Sequence, residues 1–266
     1  MKLIVCVKQV PDTSGKVAVN PNGTLNRASM QTVINPDDKN ALEAALEIKE
    51  ETGAHVVVVS MGPMAAAGML HELLAMGADE AVLVSGREFG GSDTFATSQI
   101  LAAAVHKIGI GKGDLVLCGR QAIDGDTAQV GPQMAEKLDI PQISYAAEIR
   151  LEEDEVKVRQ ITDSGYSLLK APTPCLITCI KELNNPRYMT VKGIMHFDEK
   201  PVTIFDYEAL KDEPLIETDT IGLKGSPTNI YQSFSPPQKG RCRLLEGALS
   251  EVSEQVVGLL QSRHII

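Results

Sequence analysis

The first half of the chain repeats a pattern of a short apolar run followed by a longer amphipathic segment. The apolar runs predict strands at residues 3–10, 55–60, 81–85 and 114–118. The segments between and after them predict helices at residues 35–52, 64–77, 93–107 and 127–138. The four consecutive valines at residues 56–59 are typical of a strand buried on both faces. This alternation predicts an α/β fold with a doubly wound parallel sheet.

The second half of the chain departs from this Rossmann-like alternation. Apolar runs at residues 143–151, 156–161, 166–170 and 175–180 follow one another without a helix between them, which predicts an antiparallel strand extension of the sheet. Residues 184–240 carry scattered prolines and little periodicity, so we expect an irregular segment. The chain ends on a narrow apolar stripe that predicts a C-terminal helical arm, formed by Leu245, Leu249, Val252, Val256 and Leu259.

The charge and the aromatic content narrow the classes of ligand. The chain has 25 basic and 35 acidic residues, and no basic cluster follows one face. This balance argues against nucleic acid as the main ligand, because phosphate neutralisation needs a basic surface. The chain has no tryptophan, 5 Phe and 5 Tyr. A bound ring system must therefore rest on backbone and aliphatic groups.

The cysteines and the N-terminus indicate a reducing compartment. The chain has 5 cysteines, an odd number, and several lie in apolar runs, so we expect buried reduced thiols. Cys175 and Cys179 are four residues apart in a predicted strand, where core packing is favoured over a metal site.

We see no signal-peptide pattern and no apolar run long enough for a bilayer, and we expect a cytoplasmic protein without membrane contact. Pro21-Asn22-Gly23 predicts a hairpin turn.

The segment from Gly119 to Pro132 is the first candidate site. In a doubly wound sheet the ligand binds outside the carboxyl ends of the strands, and this segment leads from a predicted strand into a predicted helix. Such a helix start offers free backbone N–H groups to a phosphate. Asp124 and Asp126 would repel a diphosphate, so we expect them to hold ribose hydroxyls or to cap the helix. A polar loop with a good N-cap explains the segment equally well.

Two other helix starts are weaker candidates. Thr94 and Thr97 are three residues apart behind Gly90-Gly91, so both hydroxyls face one way and could hold a second phosphate, although capping by Ser92 or Asp93 explains the segment without a ligand. The same glycine-rich string is similar to the pyrophosphate loop of ATP-dependent ligases, which keeps an ATP-pyrophosphatase-like ligase open as an alternative. At residues 35–38, Asn35 is expected to cap the following helix.

No set of side chains suggests a catalytic machinery of the protein's own. The histidines are scattered, and no combination of Ser or Cys with His and Asp can be assembled from the sequence. The lack of such a set, together with two loops of the nucleotide-binding type, favours a protein in which a cofactor carries out the chemistry.

Several motifs together resemble the β subunit of electron-transfer flavoproteins over essentially the whole chain. They are the opening Val5-Cys6-Val7-Lys8-Gln9-Val10-Pro11-Asp12-Thr13, the pair Asn35-Pro36, the string Ala75-Met76-Gly77-Ala78-Asp79, the segment 119–132 continuing to Pro141-Gln142, and Asn185-Pro186-Arg187-Tyr188. The last motif looks like the start of that family's partner-recognition loop.

The resemblance implies a heterodimer with an α subunit whose FAD exchanges electrons with acyl-CoA dehydrogenases. In one type of the family the β subunit holds a structural AMP. In the bifurcating type of anaerobes the same site holds a second FAD, which NADH reduces and which sends one electron to the α-subunit FAD and the other to ferredoxin or flavodoxin. The hydroxyls of Thr94 and Thr97 could bind the second phosphate group of a dinucleotide, which AMP lacks, so we favour FAD.

The resemblance also implies an organisation and a set of binding residues. We expect a nucleotide-binding domain at residues 1–190, a partner-recognition loop and linker at 191–240, and a C-terminal helix at 241–266 that docks on the α subunit. The expected cofactor-binding residues are Cys6, Asn35, Asp37, Asp38, Met61, Asp93, Thr94, Thr97, Gly119, Arg120, Gln121, Asp124, Gly125, Asp126, Thr127, Ala128, Gln129, Val130 and Gly131.

Overall fold

A computed structural model describes residues 1–12, 31–228, 240 and 244–266 of the chain. The chain divides into two compact units, Met1–Tyr231 and Gln232–Ile266. The hairpin predicted around Pro21-Asn22-Gly23 and the side chain of Cys242 lie outside the described residues. No helix in these described ranges is both long and apolar enough to cross a membrane.

The first unit contains the α/β sheet and its helices. Its strands are β1 (Lys2–Cys6), β2 (Gln9–Pro11), β3 (Thr32–Ile34), β4 (His55–Met61), β5 (Glu80–Val84), β6 (Leu115–Gly119), β7 (Gln142–Glu152), β8 (Glu155–Thr162), β9 (Gly165–Pro172), β10 (Cys175–Cys179) and β11 (Val202–Phe205). Its α-helices are α1 (Pro36–Thr52), α2 (Ala67–Met76), α3 (Thr94–Ile108), α4 (Val130–Leu138), α5 (Val191–His196), α6 (Tyr207–Leu210) and α7 (Gly222–Gly225). The second unit contains α8 (Leu249–Ser262).

The main sheet has the strand order β11-β5-β4-β1-β6-β10-β7-β8-β9. Every neighbouring pair from β11 to β7 is parallel, and β8 and β9 continue the sheet in antiparallel pairing. The strand β1 lies between β4 and β6, so the strand order reverses there and the carboxyl ends of β1 and β6 form the switch point. The predicted doubly wound parallel sheet with an antiparallel extension is confirmed.

The two faces of the sheet carry separate apolar layers. Leu3 and Val5 of β1 pack in one cluster with residues of α1 and α2, whereas Ile4 and Cys6 pack in the other with residues of α3 and α4. Alternate residues of a strand point to opposite faces, so this single strand contributes to both layers. Helices on both faces bury the central residues of β1 and of its parallel neighbours β4 and β6, which explains their continuous apolar runs.

One predicted strand lies elsewhere in the sheet than expected. Residues 175–180 were expected to extend the antiparallel part, but β10 lies between β6 and β7 and is parallel to both. All five residues of β10 are buried, because both faces of the strand are covered. The short turn before it suggested a hairpin partner, yet pairing with β6 buries more apolar surface than an exposed edge would.

The segment 184–240 is more regular than its sequence indicated. Val202-Thr203-Ile204-Phe205 forms β11, which pairs in parallel with β5 at the far edge of the sheet. The run of β-branched and aromatic residues was the available signal. The predicted boundaries at residues 190 and 240 stay predictions, although the sheet itself continues to Phe205.

The burial of β10 predicts an asymmetric response to truncation of side chains in the same sheet. Ile177 of β10 is 0% exposed and Leu168 of the edge strand β9 is 76% exposed. We expect Ile177→Ala to lower the free energy of unfolding by about 2–5 kcal/mol. The matched control Leu168→Ala should stay within about 0.5 kcal/mol. Urea unfolding measures both, and equal losses would contradict the interior position of β10.

Candidate functional site

The buried carboxylate of Asp38 joins the ends of β1 and β6 at the switch point. Its Oδ2 accepts a hydrogen bond from Lys8 N, just beyond β1, at 2.8 Å, and its Oδ1 accepts one from Gly119 N at 2.9 Å. A Cβ on Gly119 would lie 2.3 Å from Asp38 Oδ1, so only glycine allows this approach. The side chain of Asp38 therefore satisfies two backbone donors that the diverging strands leave unpaired.

Burial dominates the ionisation of Asp38. Removal from water, and to a smaller extent the charge of Asp37, raise the pKa of this carboxyl from its ordinary 3.8 to about 7. Hydrogen bonds from Asn35, Lys8 and Gly119 act in the opposite direction by stabilising the carboxylate. The group therefore titrates near neutral pH.

Asn35 ties the loop after β6 to the start of α1. Its Nδ2 donates to Gln121 O at 2.8 Å, its Oδ1 accepts from Ile123 N at 3.1 Å, and its backbone N donates to Lys8 O at 2.9 Å. The expectation that its side chain caps α1 was wrong, because the side chain makes no capping hydrogen bond. The amide instead pairs with a loop distant in the sequence.

The loop 120–129 does not contain the predicted helical turn. The helix expected from Thr127 begins only at Val130, since Asp126 and Ala128 have φ angles of 51° and 53° in the left-handed region. Gln121 Nε2 holds the bend by donating to Asp126 Oδ1 at 2.8 Å. Gly125 and Thr127, on either side of Asp126, are exposed.

The first turn of α4 lies directly against the carboxyl ends of β6 and β10. A Cβ on Gly131 would approach both Cys118 Sγ and Thr178 Cγ2 at 2.9 Å, so the glycine allows the helix start to contact β6 and β10. The first N–H groups of a helix have no partner within it. The start of α4, at Val130 and Gly131, thus offers donors to an anion at this edge.

Lys8 is a site residue that sequence analysis missed. Its Nζ lies 2.7 and 2.9 Å from the two carboxylate oxygens of Asp124. This pairing neutralises a carboxylate that was expected to bind ribose or to cap the helix. The signal was available, because Lys8 follows the central strand at the position where ligands bind.

Arg120 carries an unsatisfied buried donor. Its backbone N donates to Cys179 O at 2.8 Å, while its Nε is buried and has no hydrogen-bond partner among the described residues. Asp37 Oδ2 is 3.4 Å from this Nε, an ion-pair distance without hydrogen-bond geometry. Burial raises the pKa of Asp37, the Arg120 charge lowers it and Glu182 raises it. An unpaired buried donor is costly, so Nε suits an oxygen acceptor from a ligand.

The starts of α3 and α4 meet beside this loop. Thr94 Oγ1 donates to Gln129 Oε1 at 3.3 Å, and Thr97 lies in the same first turn of α3. Asp93 caps α3, because its Oδ1 accepts from Ala96 N at 3.0 Å. Burial alone would raise the pKa of Asp93, but hydrogen bonds from Ala96 and Thr228 lower it overall.

The remaining predicted residues lie at the same carboxyl edge. Cys6 is buried in β1 opposite Cys118 of β6, and burial with the Asp38 charge raises the pKa of the Cys6 thiol to about 12. Met61 ends β4 and is half-buried. Cys175 and Cys179 lie in the apolar core, as their spacing predicted.

The fold and the loops at the carboxyl ends of its parallel strands define a class of protein. Glycine-bearing loops and helix starts at the switch point of a doubly wound sheet are typical of nucleotide-binding α/β proteins. Residues 22–210 match the family model of the electron transfer flavoprotein domain.

Relatives along the full length agree. The chain is 61% identical to the acryloyl-CoA reductase electron transfer subunit gamma of Anaerotignum propionicum and 49% identical to a caffeyl-CoA reductase-Etf complex subunit of Acetobacterium woodii, each over 100% of both chains. It is 47% identical to the electron transfer flavoprotein subunit beta of Clostridium acetobutylicum, again over 100% of both. The chain belongs to the electron transfer flavoprotein family, among its β subunits.

The raised pKa of Asp38 predicts a stability loss with rising pH. Between the unfolded value near 3.8 and the folded value of about 7, the folded chain keeps a proton that the unfolded chain releases. Stability from this group is therefore present below the first value and lost towards the second, by an upper bound of about 4 kcal/mol.

Urea unfolding between these two pH values should show the loss in the wild type, and Asp38→Asn should remove that part of the slope. The exposed turn variant Asp163→Asn is the control and should keep the wild-type slope. An Asp38→Asn protein with the wild-type pH dependence would contradict the assignment.

Proposed function

We propose that the chain is the β subunit of a heterodimeric electron-transfer flavoprotein whose edge site holds FAD. Bound there, FAD would supply hydride acceptance from NADH and the separation of the two electrons, one to the α-subunit FAD and then to an acyl-CoA dehydrogenase, the other to ferredoxin or flavodoxin. The observation that carries FAD over AMP is the meeting of two helix starts, joined from Thr94 Oγ1 to Gln129 Oε1 at 3.3 Å. A diphosphate with a second ring system needs such an extended row of donors. We propose a cytoplasmic location.

The residues present fit a nucleotide with a diphosphate. The first turn of α4 offers backbone donors, and the buried Nε of Arg120 has no hydrogen-bond partner in the described part of the chain. Gly119 and Gly131 bring the backbone close to the edge. The Lys8–Asp124 pair keeps one carboxylate of the loop from repelling an anion. These features support binding through the phosphate-bearing tail of the cofactor.

The chain's own groups bind and orient, and bound FAD would supply the hydride and electron chemistry. In this proposal Arg120 and the α4 start hold the diphosphate, and Thr94 and Thr97 hold the diphosphate or the incoming NADH. Asn35 and Asp38 keep the loop 119–123 against α1, so that the ligand meets a preformed edge. Asp37 offers a half-buried carboxylate beside Arg120.

A structural AMP is the second candidate. One observation favours it: Asp93 caps α3 by accepting a hydrogen bond from Ala96 N, so the helix start is satisfied without a ligand. In that case the chain is the β subunit of a flavoprotein that does not bifurcate electrons. The family assignment disfavours the ligase alternative.

The segment after β10 offers an exposed apolar surface for the dehydrogenase. Tyr188 is 94% exposed, Val191 76% and Met195 70%. We call these three residues the docking surface. A Cβ on Gly193 would lie 2.0 Å from Ala75 O, so Gly193 packs α5 onto α2 and a substitution there would test packing as much as docking. Relatives named as acryloyl-CoA and caffeyl-CoA reductase subunits support a partner of the acyl-CoA dehydrogenase class.

The C-terminal helix offers a second apolar surface. Leu249 is 86% exposed and Val256 41% exposed on α8. Exposed apolar stripes of this kind mark interaction sites. We propose that α8 docks on the α subunit.

Extraction of the bound nucleotides from the purified heterodimer tests the cofactor proposal. Two FAD per heterodimer and reduction by NADH are the expected result. One FAD with one AMP would establish the second candidate instead.

The paired hydroxyls of α3 give the sharper prediction. We expect Thr94→Val and Thr97→Val each to lower the affinity of this site for flavin or NADH about 10- to 150-fold, because each removes one hydrogen bond to a charged phosphate, and the double variant to lower it further. Flavin content and the NADH reduction rate measure the effect, with the α-subunit FAD still reducible by dithionite. The exposed strand variant Thr203→Val serves as control. Full second-flavin occupancy with unchanged NADH kinetics would return the threonines to helix capping.

The apolar face of α8 predicts the strength of subunit association. Deletion of the residues after Gly240 should release the α subunit during co-purification. Leu249→Ser with Val256→Ser should weaken association in the full chain, whereas Gln255→Ser on the same helix should not. An unchanged heterodimer after the deletion would refute docking of this arm.

A further inference from the structure

Residues 184–196, which we call the docking segment, follow β10 and carry the docking surface. At its start this segment is attached to α1 by two asparagines. Asn40 Nδ2 donates to Asn184 O at 2.8 Å and to Asn184 Oδ1 at 2.9 Å, and Asn184 Nδ2 donates back to Asn40 O at 3.0 Å. Asn40 is 3% exposed. Reciprocal hydrogen bonds of this kind fix both the position and the direction of the chain as it leaves β10.

Arg187 adds a two-pronged ion pair one helical turn further along α1. Its Nε and Nη2 donate to the Glu43 carboxylate at 2.9 to 3.0 Å, and its backbone N donates to Glu43 Oε2 at 2.9 Å. Its Nη1 donates to Glu50 Oε1 at 2.5 Å. Glu43 is 5% exposed, so this is a largely desolvated contact rather than a surface pair.

The second half of α1 is acidic around this arginine. Burial raises the pKa of Glu47, the charges of Glu43, Glu50 and Glu51 raise it further, and the charge of Arg187 lowers it. Removal of Arg187 would leave like charges facing one another on one helix. The acidic face of α1 is thus complementary to the cation that the docking segment carries.

The contacts to α1 end where the docking surface begins. Tyr188, 94% exposed, follows Arg187 directly, and α5 is held at its other side by the contact of Gly193 with Ala75 of α2. Thr190 caps α5 by accepting from Gly193 N at 2.9 Å. Tyr188 and Val191 therefore lie between two anchored points, and Met195 lies two residues beyond the second.

We propose that Glu43 and Arg187, with Asn40 and Asn184, are positioning residues that hold the docking surface in its binding conformation before the dehydrogenase arrives. The inference rests on the proposed docking of Tyr188, Val191 and Met195 with that partner. A segment that is ordered in advance loses less conformational entropy on binding, which lowers the concentration of partner needed. The same helix holds the loop 119–123 through Asn35 and Asp38, so α1 sets both sites on one rigid element.

The test uses the complete heterodimer and a short-chain acyl-CoA dehydrogenase with crotonyl-CoA as terminal acceptor. The heterodimer is reduced with dithionite, and its reoxidation is followed as the dehydrogenase concentration is varied. We expect Glu43→Gln and Arg187→Lys each to raise the half-saturating concentration about tenfold, the effect of losing one charge-assisted hydrogen bond. The limiting rate and the flavin content should not change. Hydrogen exchange of residues 188–196 should become faster in both variants.

Two controls separate the inference from the docking proposal on which it rests. Glu51→Gln, on the same helix but exposed, should leave half-saturation and exchange as in the wild type. Tyr188→Ser should raise the half-saturating concentration without changing exchange at the base of the segment.

If Tyr188→Ser weakens docking while Glu43→Gln and Arg187→Lys keep wild-type half-saturation and exchange, the positioning role is refuted and docking stands. If Tyr188→Ser together with Met195→Ser leaves half-saturation unchanged, the docking proposal is refuted, and the positioning inference with it. Arg187→Lys keeps the charge, so it guards against a Glu43→Gln variant that fails to fold.

Discussion

The architecture at the carboxyl ends of the central strands depends on one buried carboxylate. Where β1 and β6 end, their backbones diverge and leave the N–H groups of Lys8 and Gly119 without strand partners. Asp38 accepts both hydrogen bonds, at 2.8 and 2.9 Å. Two unpaired donors in this position would destabilise the fold, so the loops can leave the sheet here only because α1 supplies the acceptor. Gly119 must also lack a side chain, because a Cβ there would collide with the Asp38 carboxylate.

Helix α1 also fixes the positions of loops outside this site. Asp38 in its first turn, together with Asn35 directly before the helix, holds the loop after β6. Asn40 and Glu43 further along the helix hold the segment after β10. Polar residues on the buried side of a helix are tolerated because each has a defined partner. The helix therefore positions loops from two neighbouring strands, rather than only covering one face of the sheet.

The chain prepares its edge with backbone groups and charges instead of aromatic rings. Left-handed φ angles at Asp126 and Ala128 delay the start of α4 until Val130, so the loop remains available at the edge before the helix begins. Lys8 neutralises Asp124, and Arg120 keeps a buried donor without a partner in the described ranges. Backbone donors at a helix start and an unpaired guanidinium N–H are groups that suit an anion.

The sequence by itself determined the strand–helix alternation, the doubly wound sheet, the core position of Cys175 and Cys179 and the segments at the carboxyl edge, because these depend on local periodicity and strand order. Only the tertiary structure decided that Asn35 pairs with Gln121 and Ile123 rather than with its own helix, and that Lys8 meets Asp124. It also placed β10 inside the sheet and Arg187 on Glu43. The side-chain contacts named here join residues 86 to 144 positions apart, and no local pattern specifies which polar group a distant partner will satisfy.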